Sequence, residues 1–188
     1  MAQAARIDRP ALRYTGGKWR LAAWVIKHLP PHRCYVEPFM GGASVMLCKA
    51  RSKVEVLNDK SDLVVTFFRV LRDRGSELKQ VLELTPFALT EYRACDPFEP
   101  GLDDLERARR FFARSWGGHT GISGSVRNRG WRRSADRDVA GDFTSAIAGL
   151  QALTERLRGV AIDRLDYTQV LERYDRPIPA FTWTRHTL

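Results

Sequence analysis

At 188 residues the chain can form one domain, or one domain carrying a sizeable insertion, and its ordinary apolar share excludes global disorder. No apolar run is long enough to cross a bilayer, and residues 1–10 carry charges without the apolar segment of a secretory signal. Cys34, Cys48 and Cys95 are scattered without metal-ligand spacing, so neither a zinc site nor a disulfide framework is expected, and a reducing cytoplasm fits. The net charge of +9, an excess of arginine, points to a polyanionic partner because phosphates release counterions to a basic surface.

Taken in chain order, Tyr14-Thr15-Gly16-Gly17-Lys18 makes a glycine turn, and Leu21, Val25 and Leu29 recur four residues apart as one face of a helix ended by Pro30-Pro31. Cys34-Tyr35-Val36-Glu37 reads as a short strand and Pro38-Phe39-Met40-Gly41-Gly42 as a loop. A helix over roughly 43–50 follows, then a second strand over 53–58, Asp59 just past its end, and a helix over 62–72. Strand, glycine loop, helix, strand and acidic residue are half of a doubly wound α/β sheet. From 76 to about 101 short helices are interrupted by Pro86, Pro97 and Pro100. A helix over 103–116 has Asp103 or Asp104 as its cap. Residues 117–141, rich in Gly, Ser and Arg, read as an exposed loop or hairpin. A helix over 143–158, a strand over 160–162 and a short helix over 167–174 complete the pattern.

The loop after the first strand carries the most chemistry. Glycine lets a main chain pass where a side chain would collide, and Asp59, 22 residues after Glu37, suits a carboxylate that accepts both hydroxyls of a ribose. The third glycine of a dinucleotide loop is missing, and so is the lysine of a phosphate-binding loop. A nucleoside ligand without pyrophosphate remains, of which S-adenosylmethionine is the common one. Two glycines alone would be an ordinary β–α turn; the strand before them and Asp59 after them make the ligand reading the stronger one.

Three segments resemble the Dam-type class of DNA adenine methyltransferases in order and spacing. Tyr14–Lys18 is similar to the N-terminal motif, Tyr35–Val45 to the cofactor loop, and Leu57–Leu63 to the ribose motif; the likeness resumes at Asp166 and Arg173-Tyr174-Asp175. It implies a Rossmann-like methyltransferase sheet, here incomplete, over 1–75 and 146–188, with a mostly helical DNA-recognition insertion over 76–145. It also implies S-adenosylmethionine as cofactor, bordered by Tyr14, Gly17, Lys18, Glu37, Pro38, Phe39, Gly41, Gly42 and Asp59. Of these, Glu37 is expected to face the methionine end and Asp59 to hold the ribose. Double-stranded DNA is the expected partner, with a restriction endonuclease as a further candidate in a restriction-modification or prophage setting. Neither a metal nor a membrane is expected. An RNA methyltransferase on a similar sheet is disfavoured by the Tyr14–Lys18 motif.

Nine arginines fall between Arg107 and Arg137 against the single intervening acid Asp136, with Trp116 and Trp131 among them. Arginine forks bind phosphate and read guanine, and an aromatic can stack on a base or fill the gap left by a flipped one. Arg114, Arg127, Arg129, Trp131, Arg132 and Arg133 are therefore the candidate DNA contacts; a solvated basic loop is the plainer alternative.

Transfer to the exocyclic amine of adenine also needs acceptors for its hydrogens, which the resembling family supplies with Asp-Pro-Pro-Tyr. The chain contains no such motif, so no catalytic residue is assigned; Asp96-Pro97-Phe98 lies too early and lacks the second proline and the tyrosine. At the expected place, loss of one base would turn codons for Tyr-Leu-Asp-Pro-Pro-Tyr into Thr-Trp-Thr-Arg-His-Thr, which are residues 182–187. The expectation is a frameshift before the motif, an inactive polypeptide or a non-catalytic DNA- or cofactor-binding remnant, and an open sheet edge that lowers stability.

Overall fold

The computed structural model describes residues 7–122, 130–174 and 179–181. Four short strands form one parallel sheet in the order β3-β2-β1-β4: β1 (Cys34–Glu37), β2 (Val54–Asn58), β3 (Ala161–Asp163) and β4 (Pro179–Phe181). The registers Glu37↔Leu57 and Asn58↔Asp163 align the strand ends, and Val36↔Phe181 places β4 beside β1. The chain runs outward from β1 through β2 to β3 and returns to the other side of β1. That reversal opens a crevice at the carboxyl end of the strands, the usual ligand position in such sheets.

Alternation along the strands divides the two faces. Tyr35, Leu57 and Ile162 point into the main core, whereas Val36 and Val56 pack with Val170 of α9 (Tyr167–Tyr174) in a separate small cluster. The main core is built on α3 (Asp62–Asp73), whose Leu63–Phe68 run is fully buried because the sheet covers one side and α6 (Asp104–Gly117) the other. Phe67 meets Phe68 and Phe111 edge-on at 5.2 and 5.9 Å and stacks with Phe112 at 6.4 Å. Both helices start on side-chain caps: Ser61 accepts from Val64 N at 3.5 Å, and Asp103 accepts from Glu106 N at 2.8 Å.

Several sequence expectations are revised. The helix expected from Leu21 onward begins as a 3₁₀ turn (Trp19–Leu21) and continues as α1 (Ala22–Lys27), leaving Leu21 54% exposed instead of on the buried face. The helix expected over 143–158 is two, α7 (Val139–Ala148) and α8 (Leu150–Leu157), broken at Gly149. In α7 the Asp138 carboxylate accepts from Gly141 N at 2.7 Å, so the helix starts inside the stretch read as loop. Ile122, in that same stretch, is 1% exposed and belongs to the main core. The helices α4 (Gly75–Glu83), α6 and α7 of the expected insertion share one apolar cluster with the sheet.

A buried charge group ties the back of the sheet together. Glu55 accepts from Lys49 Nζ at 3.0 Å and from Arg156 Nη1 and Nη2 at 2.5 and 2.8 Å, while Arg156 also reaches Met46 O at 2.8 Å. Burial pushes the Glu55 carboxyl up, but Arg156, Ser52 N and Lys49 outweigh it and hold the group below the usual range.

Gly75 marks the tightest helix crossing. A Cβ there would lie 2.1 Å from Thr154 Oγ1, whose hydroxyl donates to Leu71 O at 2.9 Å. Gly75→Ala is expected to destabilise the fold by about 1–3 kcal/mol, the usual cost of overpacking, read from the midpoint of urea unfolding.

Candidate functional site

The site lies where β1 and β2 end. Asp59, one residue beyond β2, accepts Gly41 N on Oδ2 at 3.0 Å and Ser61 N on Oδ1 at 2.9 Å. One carboxylate thus fastens the loop after β1 to the start of α3. Met40 N donates to Asn58 O at 2.8 Å, and Asn58 Nδ2 donates to Pro38 O and Leu165 O, both at 3.0 Å, while its Oδ1 accepts from Leu165 N at 2.8 Å. Asn58 therefore staples the turns after β1 and β3 to the end of β2, a role no local pattern signals because its partners are more than 100 residues apart.

Two clefts meet here. The larger, about 490 Å³, is lined by Tyr14, Asp59, Lys60, Ser61, Asp62, Leu63, Phe98 and Arg107. The smaller, about 10 Å³, is lined by Gly16, Gly17, Lys18, Glu37, Phe39, Gly41 and Gly42, and again by Tyr14. Structure and sequence thus agree in bringing Tyr14, Gly17, Lys18, Glu37, Phe39, Gly41, Gly42 and Asp59 together, with Pro38 buried behind them. Lys18 Nζ donates to Gly16 O at 2.8 Å and closes the first glycine turn on itself. Phe98 was set aside in the sequence as part of an incomplete motif, yet it walls the larger cleft. Arg107 joins it on the rim and donates to Asp62 at 2.9 Å, and Arg164 pairs with the same carboxylate.

The glycines of the loop after β1 line the small cleft and also make room for a side chain. A Cβ at Gly41, whose φ is +45°, would lie 2.8 Å from the Tyr14 ring, and one at Gly42 3.2 Å from Tyr14 Cβ. They admit the tyrosine, which then forms a wall common to both clefts.

Glu37 is 3% exposed, and its Oε1 accepts from Tyr35 Oη at 2.6 Å and from Met46 N at 2.7 Å. Met46 belongs to α2 (Ser44–Cys48), so Glu37 closes the start of that helix as well as lining the small cleft. Burial raises its pKa to about 7, against the lowering effects of the Tyr35 and Met46 hydrogen bonds and of the Lys49 and Arg156 charges.

The candidate DNA contacts are placed less uniformly. Arg127 and Arg129 lie outside the described residues. Arg114 donates to Tyr92 O at 2.8 Å and covers the Tyr92 ring at 4.2 Å. Trp131 packs on Phe87 at 4.5 Å and Tyr92 at 5.4 Å, and Arg132 pairs with Asp142 at 2.5 Å. Arg133 is exposed. The stretch is also less basic than its sequence suggests: Arg107, Arg109 and Arg110 pair with Asp62, Glu91, Glu99 and Glu106, all of them outside residues 107–137.

The Glu37 shift has a definite pH signature. Its folded pKa of about 7 lies above the ordinary 4.5, so the folded chain binds the proton more tightly than the unfolded one. That contribution is complete below pH 4.5 and lost as pH rises to 7. Glu37→Gln, whose amide oxygen can still accept from Tyr35 and Met46, should remove a loss of order 3 kcal/mol across that window, measured as urea stability against pH.

Residues 14–97 match the family model described as D12 class N6 adenine-specific DNA methyltransferase, a span that includes the Tyr14 turn, the loop after β1 and Asp59. The DNA adenine methylase of Escherichia coli (strain K12) is 31% identical over 120 residues, 61% of this chain and 43% of that protein. The DNA adenine methylase of Salmonella typhi is 29% identical over 120 residues with the same shares. The DNA N-6-adenine-methyltransferase of Escherichia phage P1 is 28% identical over 75 residues, 40% of this chain and 10% of the phage protein. The chain therefore spans less than half the length of each of these relatives. Over the matched span, which holds the Tyr14 turn, the loop after β1 and Asp59, the chain is similar to the Dam-type DNA adenine methyltransferases.

Proposed function

We propose that this chain binds S-adenosylmethionine at the carboxyl end of β1 and β2 and serves methylation of adenine N6 in double-stranded DNA. The observation that carries the reading is the Asp59 carboxylate, pinned by two main-chain N–H groups beside a cleft of about 490 Å³ where the sheet changes direction. A carboxylate at the end of the second strand of such a sheet suits the vicinal hydroxyls of a ribose as a hydrogen-bond acceptor. When bound, S-adenosylmethionine supplies an electrophilic methyl group on a sulfonium and leaves as the thioether.

The residues present fit that ligand. Asp59 would hold the ribose, Leu63 and Phe98 offer apolar surface beside it, and Tyr14 separates this cleft from the glycine turn. Lys18 and Glu37 lie toward the small cleft, where the methionine end would approach. Glu37 near neutrality is half protonated, and a cation brought close would favour its charged form. The candidate surface for DNA is the arginine-rich stretch. Arg133 and the sequence-only candidates Arg127 and Arg129 would meet phosphate, whereas Arg114, Trp131 and Arg132 would shape the support beneath them.

Calorimetric titration with S-adenosylmethionine is expected to show binding by the chain and none by Asp59→Ala; unchanged affinity in the variant would remove Asp59 from the site. Replacing Arg127, Arg129 and Arg133 together should weaken duplex DNA in gel shifts and flatten the salt dependence by roughly one unit of slope per lost phosphate contact. Arg132 is left in place because its removal would strand Asp142. Identical affinity and slope would move the DNA surface elsewhere. Transfer of labelled methyl to DNA is expected only from a version with the reading frame restored from residue 182 onward. Transfer by the 188-residue chain itself would mean that the amine acceptor lies among residues not assigned to that role.

A further inference from the structure

Tyr14 is the common wall of both clefts, and its main chain is held by the segment that ends α6 and follows it. Its main chain runs beside Ile122, with Thr15 N donating to Ile122 O at 2.9 Å and Ile122 N donating to Arg13 O at 3.0 Å. Thr15 Oγ1 donates to Gly121 O at 2.8 Å, and Ser115 Oγ donates to Arg13 O at 3.2 Å. One turn earlier, Trp116 Nε1 donates to Ala11 O at 3.3 Å. The Arg13 guanidinium reaches the opposite way and donates to Gly118 O at 2.8 Å and His119 O at 3.3 Å. A Cβ at Gly121 would stand 2.8 Å from Thr15 N and 2.9 Å from Arg13 O, main-chain atoms with no freedom to swing aside. Residues 115–122 therefore grip residues 11–15 from both sides at a contact only glycine permits.

From this grip we infer that Arg13 and Gly121 are positioning residues for the cofactor site, acting through Tyr14. Neither is among the described residues that line the two clefts. Their effect is to set where the tyrosine ring meets Gly41 and Gly42 and so to shape the wall of the Asp59 cleft before any ligand arrives. The end of α6 and the segment after it complete the cofactor site from outside the sheet. The inference rests on the proposed binding of S-adenosylmethionine and goes beyond it, since the residues invoked touch no ligand.

The experiment is a double-mutant cycle on S-adenosylmethionine affinity in the full 188-residue chain, measured by calorimetry beside the thermal midpoint of every variant. Arg13→Ala and Gly121→Ala should each weaken binding by roughly tenfold, because small displacements of a positioning group cost that much. Arg13→Lys, which keeps one donor for the Gly118 and His119 carbonyls, should recover part of the loss. In a Tyr14→Ala background neither replacement should weaken binding further, whereas a general loss of stability would lower affinity equally in both backgrounds. Additive effects, or wild-type affinity in both single variants while Asp59→Ala still abolishes binding, would overturn the inference and leave the functional reading intact. Absence of binding by the unaltered chain would overturn both.

Discussion

Asp59 accepts main-chain hydrogens from two turns that the sheet alone would leave independent, Gly41 at 3.0 Å and Ser61 at 2.9 Å. The parallel register of β1 and β2 brings both turns to the same end of the sheet, and the carboxylate locks them edge to edge. Asn58 extends the lock to the turn after β3. The position of the loop after β1 at the cleft and the start of α3 both follow from this arrangement. A carboxylate already ordered by main-chain donors loses little entropy when it accepts further hydrogen bonds, which is the physical advantage of building a ligand site this way.

Behind the site, two buried glutamates on the same face of the sheet are treated in opposite ways. Glu55 has Lys49 and Arg156 within hydrogen-bonding distance and stays ionised. Glu37 has only neutral donors, Tyr35 Oη and Met46 N, and the cations lie farther off, so burial prevails and its pKa rises to about 7. Glu37 is the more deeply desolvated of the two and has no cation in direct contact, and both differences push the pair apart. The result is a neutral or readily neutralised acid facing the small cleft and a fixed ion pair supporting the far side, where Arg156 joins α8 to α2.

Between them α3 and α6 explain why the expected insertion is not a loose appendage. The Phe67, Phe111 and Phe112 contacts merge its helices with the sheet's core, and the cap at Asp103 fixes where α6 begins. α6 then ends at Gly117, and the segment after it reaches back to Tyr14. The cleft and the end of α6 thus share backbone contacts.

Much of this could be read without coordinates. Strand, glycine loop and the 22-residue spacing to Asp59 are local signals, since a parallel β-α-β unit must return its second strand beside the first. The cap of α6, expected at Asp103 or Asp104, and the helix over 167–174 are legible from equally local signals. Partners distant in sequence were not. Only the fold brought Glu91, Glu99 and Asp62 to the arginines of α6, turning an apparent basic stripe into a paired surface. Only the fold set Phe98 in the cleft, Asn58 between two turns and residues 115–122 around Tyr14. Residue type and short spacing determine which turns and helices form, because those depend on neighbouring backbone and a single apolar face. Which charge is neutralised and which ring walls the cleft depends on contacts across 11 to more than 100 residues, and these exist only once the core has closed.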